Sequence, residues 1–452
     1  MSVDDMADDL LRLADSLVAA ASPGEQVEVV LSRATSTTVK VYGQEVESLT
    51  SADSSGAGIR VVRDGRLGFA HCGSLDPSVL ADTLIEARDN CAFSEPDEFN
   101  RLADPDGVAV VERDAWSDAV VSRSVDAKIG TALELERMVL GVDPRVTSAR
   151  STAYGDAWGE SAIASSTGVR WVDRGASCSV STQPLAVADG ETQIGFSHDA
   201  HRDPELLDLA RVADEAVDRS TRLLGAVKPG SGRLTIVLEP RLSLTLLGIV
   251  SGMLAGDVVV KGRSPFADRV GEAIASPVLH LVDDPTMPES LGAEEVDGEG
   301  QACRRNDLVV DGVLSGFLRD TYTGRRTGLG STASAVRGAR SLPGVGAQVL
   351  VMRAGSDSLE DLIAGVDNGL LVNSFTGLHS GVNAVSGDFS VGADGLMIRD
   401  GTLAEPVREL TVASTIQRLL LDVEAIGADL EWLPSGHAAA SMVIPDVSVS
   451  GA

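Results

Sequence analysis

Between Gly377 and Gly395 the chain reads GLHSGVNAVSGDFSVGADG, a run too rich in glycine for a helix and too patterned for a linker. Glycines at 377, 381, 387, 392 and 395 punctuate it. Glycine is tolerated this densely where the backbone must take positive φ or lie close against another backbone. Asn383, Ser386, Asp388 and Ser390 add polar groups that suit a turn-rich wall. Such a segment is built for shape.

The rest of the chain has the means to enclose it. With 452 residues, 43% of them hydrophobic, real cores and two or three domains are expected. The formal net charge of -30, from 67 acidic and 37 basic residues, opposes binding to phosphate backbones or anionic lipid. No nucleic-acid or membrane partner is therefore expected. Cys72, Cys91, Cys178 and Cys303 form no C-x-x-C pair, and the opening MSVDDMADD is acidic where a signal peptide would be basic. Both features point to a reducing, cytoplasmic setting. The longest apolar run, 242–256, is shorter than the roughly 20 residues of a membrane span. It reads as a buried helix, with Leu244, Leu247, Val250, Ser251 and Leu254 at helical spacing.

The pattern along the chain predicts an α+β protein. A helix is expected over 8–20, with acidic residues crowding its first turn, and Asp64-Gly65 marks a hairpin. Asp76 and Pro77 start a second helix that runs to about Cys91, and another is expected over 124–140. Residues 146–198 read as antiparallel sheet in short strands separated by Gly155, Gly168, Gly175 and Gly190, and Asp203-Pro204 starts a further helix. KPGSG, 228–232, is a linker between an N-terminal α/β-type domain (1–227), with antiparallel sheet and flanking helices, and a C-terminal domain (233–452). The C-terminal domain is mainly antiparallel β with a few helices. It has hairpins at Asp311-Gly312 and Asp400-Gly401, a helix from Ser414 to Glu424 and a closing strand over 442–450.

Familiar catalytic devices are absent by direct reading. G-x-G pairs, those at 56/58, 328/330 and 344/346 among them, lack a third glycine, and there is no G-x-x-x-x-G-K-[ST] or G-x-S-x-G. Among the polar candidates, His198 and His201 could face one another on a helical turn, but a polar surface loop suits HDAHRD better. Arg325-Arg326 could engage a peptide carboxylate or an acidic partner, or could simply occupy a solvated turn between strands. Asp283-Asp284 and Glu294-Glu295 read as solvent-facing pairs with no assigned role.

The glycine-rich run, together with DGTLAEPVRELTVAST (400–415), DTYTGRRTGLGST (320–332), VDNGLLVNSFTG (366–377) and the strand pattern of 27–70, resembles the TldD/PmbA family. Nearly the whole chain is covered. The resemblance implies a cytosolic peptidase complex whose TldD branch holds zinc with an H-E-x-x-x-H helix and a later cysteine, the glutamate acting as general base. No histidine here precedes a glutamate, and 431–446 contains no cysteine. Aligned by its flanks, the segment places Gly248 and Met253 at the histidine positions and Ile249 at the glutamate position. The pattern resembles the PmbA/TldE branch, and Met253 reads as core filling.

The resemblance thus implies a non-catalytic subunit without a cofactor of its own, paired with a zinc-bearing TldD-like partner and acting on peptides or unfolded proteins. The chamber or peptide-binding wall would include Gly377, His379, Asn383, Gly387, Asp388, Arg325 and Arg326. Two alternatives stand beside this one. One is an autonomous hydrolase using His379, Asp388 and His437; the other is a non-proteolytic scaffold, with a homodimer as the form expected where no partner is present.

Overall fold

Residues 3–451 are described by a computed structural model; the side chains before Asp8, and with them most of the acidic opening, lie outside the described residues. Helix α1 (Val3–Val18) buries Leu10, Ala14 and Leu17 at its helical spacing. Strands β1 (Glu25–Tyr42), β2 (Glu45–Arg63) and β3 (Arg66–Cys72) come next. Asp64 and Gly65 join β2 to β3 with φ of 52° and 73°, the left-handed pair that a tight hairpin requires. Helix α2 (Pro77–Phe93) starts where the Asp76 carboxylate accepts from the Ser78 amide. Helices α3 (Asp118–Val121) and α4 (Val125–Val142) are capped in the same way by Ser117 and Ser124.

The next strands are longer than expected. β4 (Val146–Ser165) and β5 (Arg170–Ala188) run unbroken through Gly155 and Gly175, which face Ser179 and Gly159 in register, so only Gly168 and Gly190 mark turns. β6 (Glu191–Ile194) and β7 (Ser197–His201) both pair with β5, completing an antiparallel sheet of order β3-β2-β1-β4-β5-β6. Asp203 caps only a single 3-10 turn at Pro204–Leu206; the helix proper, α5 (Leu209–Thr221), begins six residues after Asp203 under an Asp208 cap.

One face of this sheet buries Val39, Val41, Tyr154 and Val180 beneath α4 and α5. Across the strands, the opposite face carries Ser36, Thr38, Gly155, Ala157, Ser177 and Ser179. These side chains are too small to form a core layer, so the face stays open. It becomes one wall of the candidate site.

In the C-terminal half, β8 (Gly232–Leu238) leads into α6 (Pro240–Met253). Strands 402–415, 388–399, 368–376, β8 and 442–450 pair in succession, and 402–415 also pairs with 442–450, closing a five-stranded ring. The pairing of 368–376 with β8 is parallel, because α6 and the long segment after it carry the chain over from one strand to the other. A second, six-stranded sheet contains 281–283, 306–310 and 350–352. The expected hairpins are present, with φ of 46° at Asp311 and 48° at Asp400. The late helix is shorter than expected: Thr415, not Ser414, caps Ile416–Leu421, and Ala425–Ile426 already pairs as strand.

Glycines in the run from 377 to 395 work by close approach. A Cβ at Gly381 would lie 2.1 Å from the Ser390 carbonyl oxygen, and one at Gly395 would lie 2.1 Å from that of Leu371. Both positions exclude every other residue.

The halves are fastened by buried charge. Arg60 on β2 donates to Glu28 on β1 at 2.8 Å and to Glu299 at 3.0 Å, while Arg337 donates to Glu28 at 2.5 Å. Glu299 also accepts from the Thr321 amide at 2.8 Å and from its hydroxyl at 2.6 Å. Burial alone would raise the Glu28 carboxyl, but Arg60 and Arg337 more than offset it and hold it below its ordinary value. Removing one member of such a cluster leaves a buried charge unanswered. Glu28→Ala should therefore cost about 3–5 kcal/mol in urea unfolding, and a variant as stable as the parent would show that the halves do not depend on this cluster.

Candidate functional site

Three cavities meet at the loop Leu433–His437 and form one trough between the open face of the N-terminal sheet and the C-terminal half. The first, about 360 Å³, lies over α6 and is lined by Arg241, Leu244, Thr245, Gly248, Ser251 and, across from them, His198 and His437. A second, about 630 Å³, opens towards Asp173, Glu294, Glu295 and Asp297, and a third, about 530 Å³, runs over the small-residue face at Thr38, Gly155 and Ser179. Ser435 lines all three. The loop is pinned in place: Ser290 Oγ donates to the Gly436 carbonyl at 2.5 Å, and Gly436 takes φ of 84° where a Cβ would meet the Gly292 nitrogen at 2.5 Å.

Helix α6 gives the trough its floor because its sequence divides by face. Leu242, Leu246, Leu247, Val250 and Met253 are buried in the C-terminal core, Leu244 and Ser251 turn to the groove, and Gly248 is exposed with no atom within 4 Å of an added Cβ. Helical spacing groups Leu244 and Ser251 with the core residues; period alone fixes a stripe but not its edges. Ile249 is half-buried against the core, and Met253 is wholly enclosed. None of Gly248, Ile249 and Met253 offers an imidazole, thiolate or carboxylate. The zinc implied by the family resemblance does not fit them.

Both trough histidines are held neutral. Burial lowers His437, whose Nδ1 accepts from the Leu350 amide at 3.0 Å, leaving the proton of the neutral ring on Nε2 and available for donation. Burial also lowers His198, aided by Arg219, Arg211 and Arg241, and its ring stacks on Phe196 at 5.1 Å. His198 and His201 lie on β7 rather than on a surface loop or helical turn, and positions three apart on a strand point to opposite faces. His201 instead accepts from the Asp203 amide at 2.9 Å through Nδ1.

The glycine-rich run lines none of the three cavities. His379 is exposed on the short helical turn Leu378–Gly381, while Asn383 Oδ1 accepts from the Val385 and Ser386 amides. Asp388 accepts from Ser386 Oγ at 2.6 Å; Gly387 is buried at φ of 86°, and Gly377 caps the helical turn at 74°. Among the described residues no three His, Cys, Asp or Glu side chains are grouped to hold a metal ion, so His379, Asp388 and His437 do not form such a pocket.

Arg325 and Arg326 sit in the last turn of the helix Thr321–Thr327, not in a solvated turn. Arg325 donates to the carbonyls of Arg101 and Leu102 at 2.5 and 2.6 Å, and Arg326 to Tyr322 Oη at 3.0 Å. They brace the extended segment around residues 97–106 against the C-terminal half.

The residues that sequence reasoning missed are acidic. Glu294 and Glu295 are half-buried in the trough, and Asp283 and Asp284 are buried, so neither pair is the solvent-facing pair expected of so acidic a chain. Arg113 Nη2 donates to Asp173 and Glu294, each at 2.9 Å, and its amide donates to Glu295 at 2.9 Å. Glu294 keeps 43% of its side chain exposed within the cleft. Burial, opposed by Arg113 and reinforced by Asp173 and Glu295, pushes its carboxyl up to about 7. Asp297 also rises to about 7, since burial and then the Glu299 charge outweigh its three amide donors. The only local signal was acidic residues at 294, 295, 297 and 299, which does not say which way they point.

Known proteins share this organisation. Residues 27–91, 120–224 and 231–451 match domain 1, the central domain and the C-terminal domain of the PmbA/TldA metallopeptidases. Metalloprotease PmbA of Escherichia coli O157:H7 is 25% identical over 441 residues, spanning 96% of this chain and 94% of that protein. A crystal structure from Bacteroides thetaiotaomicron, of a candidate modulator of DNA gyrase, is 27% identical with a TM-score of 0.89 over 98% of this chain and 99% of that one. TldE from Thermococcus kodakarensis shares the fold, with a TM-score of 0.87 at 24% identity over 98% and 99% of the two chains.

A carboxyl raised in the folded state contributes stability below its unfolded pKa and loses it as pH rises through the folded one. Comparing urea midpoints of the parent and Glu294→Gln from pH 4 to pH 8 isolates that contribution, with a folded value of about 7. The stability of the parent relative to the variant should fall across this window. A pH-independent difference would place the Glu294 carboxyl in ordinary solvent.

Proposed function

This chain belongs to the PmbA/TldD metallopeptidase family, and on that premise we propose that it is the TldE/PmbA-like subunit of a zinc peptidase complex. In this reading a TldD-like partner supplies the metal, and the chain shapes the chamber that holds peptides or unfolded segments in the cytoplasm. The observation that carries the proposal is the open face of α6. The helix lies under a formed groove, yet its exposed position at Gly248 is bare and Met253 is turned into the core.

The trough suits an extended chain, since its sheet wall is built from small side chains that leave room along the strands. His437 can donate from Nε2 to a peptide carbonyl, and Ser435 sits where the three cavities join. The exposed surface of Gly377, His379 and Asn383, with Asp388, is the part of the wall that the partner would complete. Arg325 stands apart from that surface, with its guanidinium on the carbonyls of Arg101 and Leu102, and Arg326 beside it donates to Tyr322 Oη.

Filling the groove tests the division of labour. Gly248→Trp, at a position with open space around it, should leave folding intact and lower peptide cleavage by the reconstituted pair by roughly tenfold or more, because misplacement of about 1 Å can cost about 10²-fold. His379→Ala should change it less than about twofold, as expected for a residue outside the chamber chemistry. Peptide cleavage by this chain alone, with the partner rigorously excluded and about one zinc held per chain, would overturn the proposal.

A further inference from the structure

The cavity over α6 contains a cation without an anion. Among the described residues that line it, Arg241 is the one side chain charged at every ordinary pH, and no carboxylate accompanies it. Its Nη2 donates to the Asn373 carbonyl at 2.7 Å, a neutral acceptor. The carboxylates that act on it from nearby are engaged elsewhere: Glu239 with Arg222 at 3.0 Å, and Asp394 with Asn373 Nδ2 at 3.1 Å and Ser374 Oγ at 2.8 Å. Nε is enclosed by protein, whereas Nη1 has no acceptor among the described residues and is not enclosed. That nitrogen is left for the cavity.

A guanidinium is disfavoured here on several counts. Burial first, then Arg219 and Arg222, oppose its charge, and Glu239 and Asp394 offset only part of this. It also lies in the first turn of α6, at the positive end of the helix dipole. A half-buried cation in such surroundings is costly unless an anion answers it.

The rest of the lining indicates which anion. Leu244, Leu350 and Leu433 give the cavity of about 360 Å³ its apolar walls. A small inorganic anion would leave those walls unused. A carboxylate joined to an apolar side chain uses both, and the end of a peptide supplies that combination. Across from α6, His437 keeps its Nε2 proton for a carbonyl one residue back along such a chain.

We propose that this cavity is a subsite for the C-terminal residue of a peptide, with Arg241 receiving the α-carboxylate, Leu244, Leu350 and Leu433 enclosing an apolar last side chain, and His437 donating to the preceding carbonyl. The inference rests on the peptide-chamber reading and deepens it by naming which end of the peptide is held. It concerns binding, so it is read on this chain without its partner. Failure of binding leaves partner-dependent cleavage standing, and failure of cleavage leaves the binding result standing.

The experiment follows the fluorescence anisotropy of N-terminally fluorescein-labelled heptapeptides of glycine and serine ending in leucine, as free acid or carboxamide, titrated with the full-length chain. The free acid should bind roughly tenfold tighter, as expected for one charge-assisted hydrogen bond. Because the chain carries a net charge of -30, long-range repulsion works against the free acid, and a preference for it reports a local cation. Replacing the last leucine by glycine should weaken the free acid severalfold. Arg241→Met should remove the preference for acid over carboxamide. Thr245→Glu sets a carboxylate one helical turn from Arg241, at the i+4 spacing that forms ion pairs, and it should remove the preference too. It keeps the test decisive if Arg241→Met folds poorly. Equal affinities for acid and carboxamide, no binding of either, no loss with terminal glycine, or an acid preference that survives Thr245→Glu would each overturn the subsite. Binding as tight by a carboxamide peptide with glutamate as its last residue would assign the cavity to acidic side chains, and displacement of the free acid by an equal concentration of inorganic phosphate would assign it to a free anion. Either result overturns the C-terminal subsite.

Discussion

Four buried charges, Glu28, Arg60, Glu299 and Arg337, govern how the two halves of this protein can meet. Taking such groups out of water costs several kcal/mol per ion, which is recovered only if every partner arrives in good geometry. Two members come from the N-terminal sheet and two from the C-terminal half, so the cluster closes only in one relative placement. Around it the backbones approach closely. A Cβ at Gly58 would stand 2.1 Å from the Ala339 carbonyl oxygen, which is why the glycine pair at 56 and 58 belongs to packing and not to a phosphate loop.

The trough exists because that placement leaves the small-residue face of the sheet and the outer face of α6 both uncovered beside the Leu433–His437 loop. Neither wall forms a site alone. The sheet offers serine, threonine, alanine and glycine with little chemistry, and α6 offers a bare glycine where the family resemblance leads one to look for a ligand. Apart from Arg241 on α6, the chemistry comes from the loops between them. The Leu433–His437 loop brings a neutral imidazole, and residues 292–298 bring carboxylates whose protonation is shifted by burial. In the proposed function these walls and loops would grip and orient an extended peptide, and a partner would supply the reacting centre.

Glycine-rich sequence and site chemistry are separated in space. The run from 377 to 395 constrains the shape of the C-terminal ring, and its positive-φ glycines and close contacts are spent on the ring itself. The trough lies elsewhere, assembled from residues about 400 positions apart, such as Val30 and His437. A segment can thus carry much of a family resemblance while lining none of the three cavities of this trough.

Local sequence was enough for the tight hairpins and for several helix starts, though Asp203 capped only a single 3-10 turn. Asp64-Gly65, Asp311-Gly312 and Asp400-Gly401 made their turns because only left-handed backbone closes a tight hairpin, and Asp76 and Ser124 started helices because their side chains answer free amides. The buried helix over α6 came from its apolar period, and the α+β character from the change of period along the chain. Facing and partnership were different. Whether Glu294 looks to solvent or into a cleft and whether Arg325 waits for a ligand or braces residues 101 and 102 both depend on what the other half of the chain lays against them. Those contacts join positions more than a hundred residues apart, and no periodicity carries that information. Burial, not residue type, sets the charge state of Glu294 and Asp297, and burial is a property only the assembled halves possess.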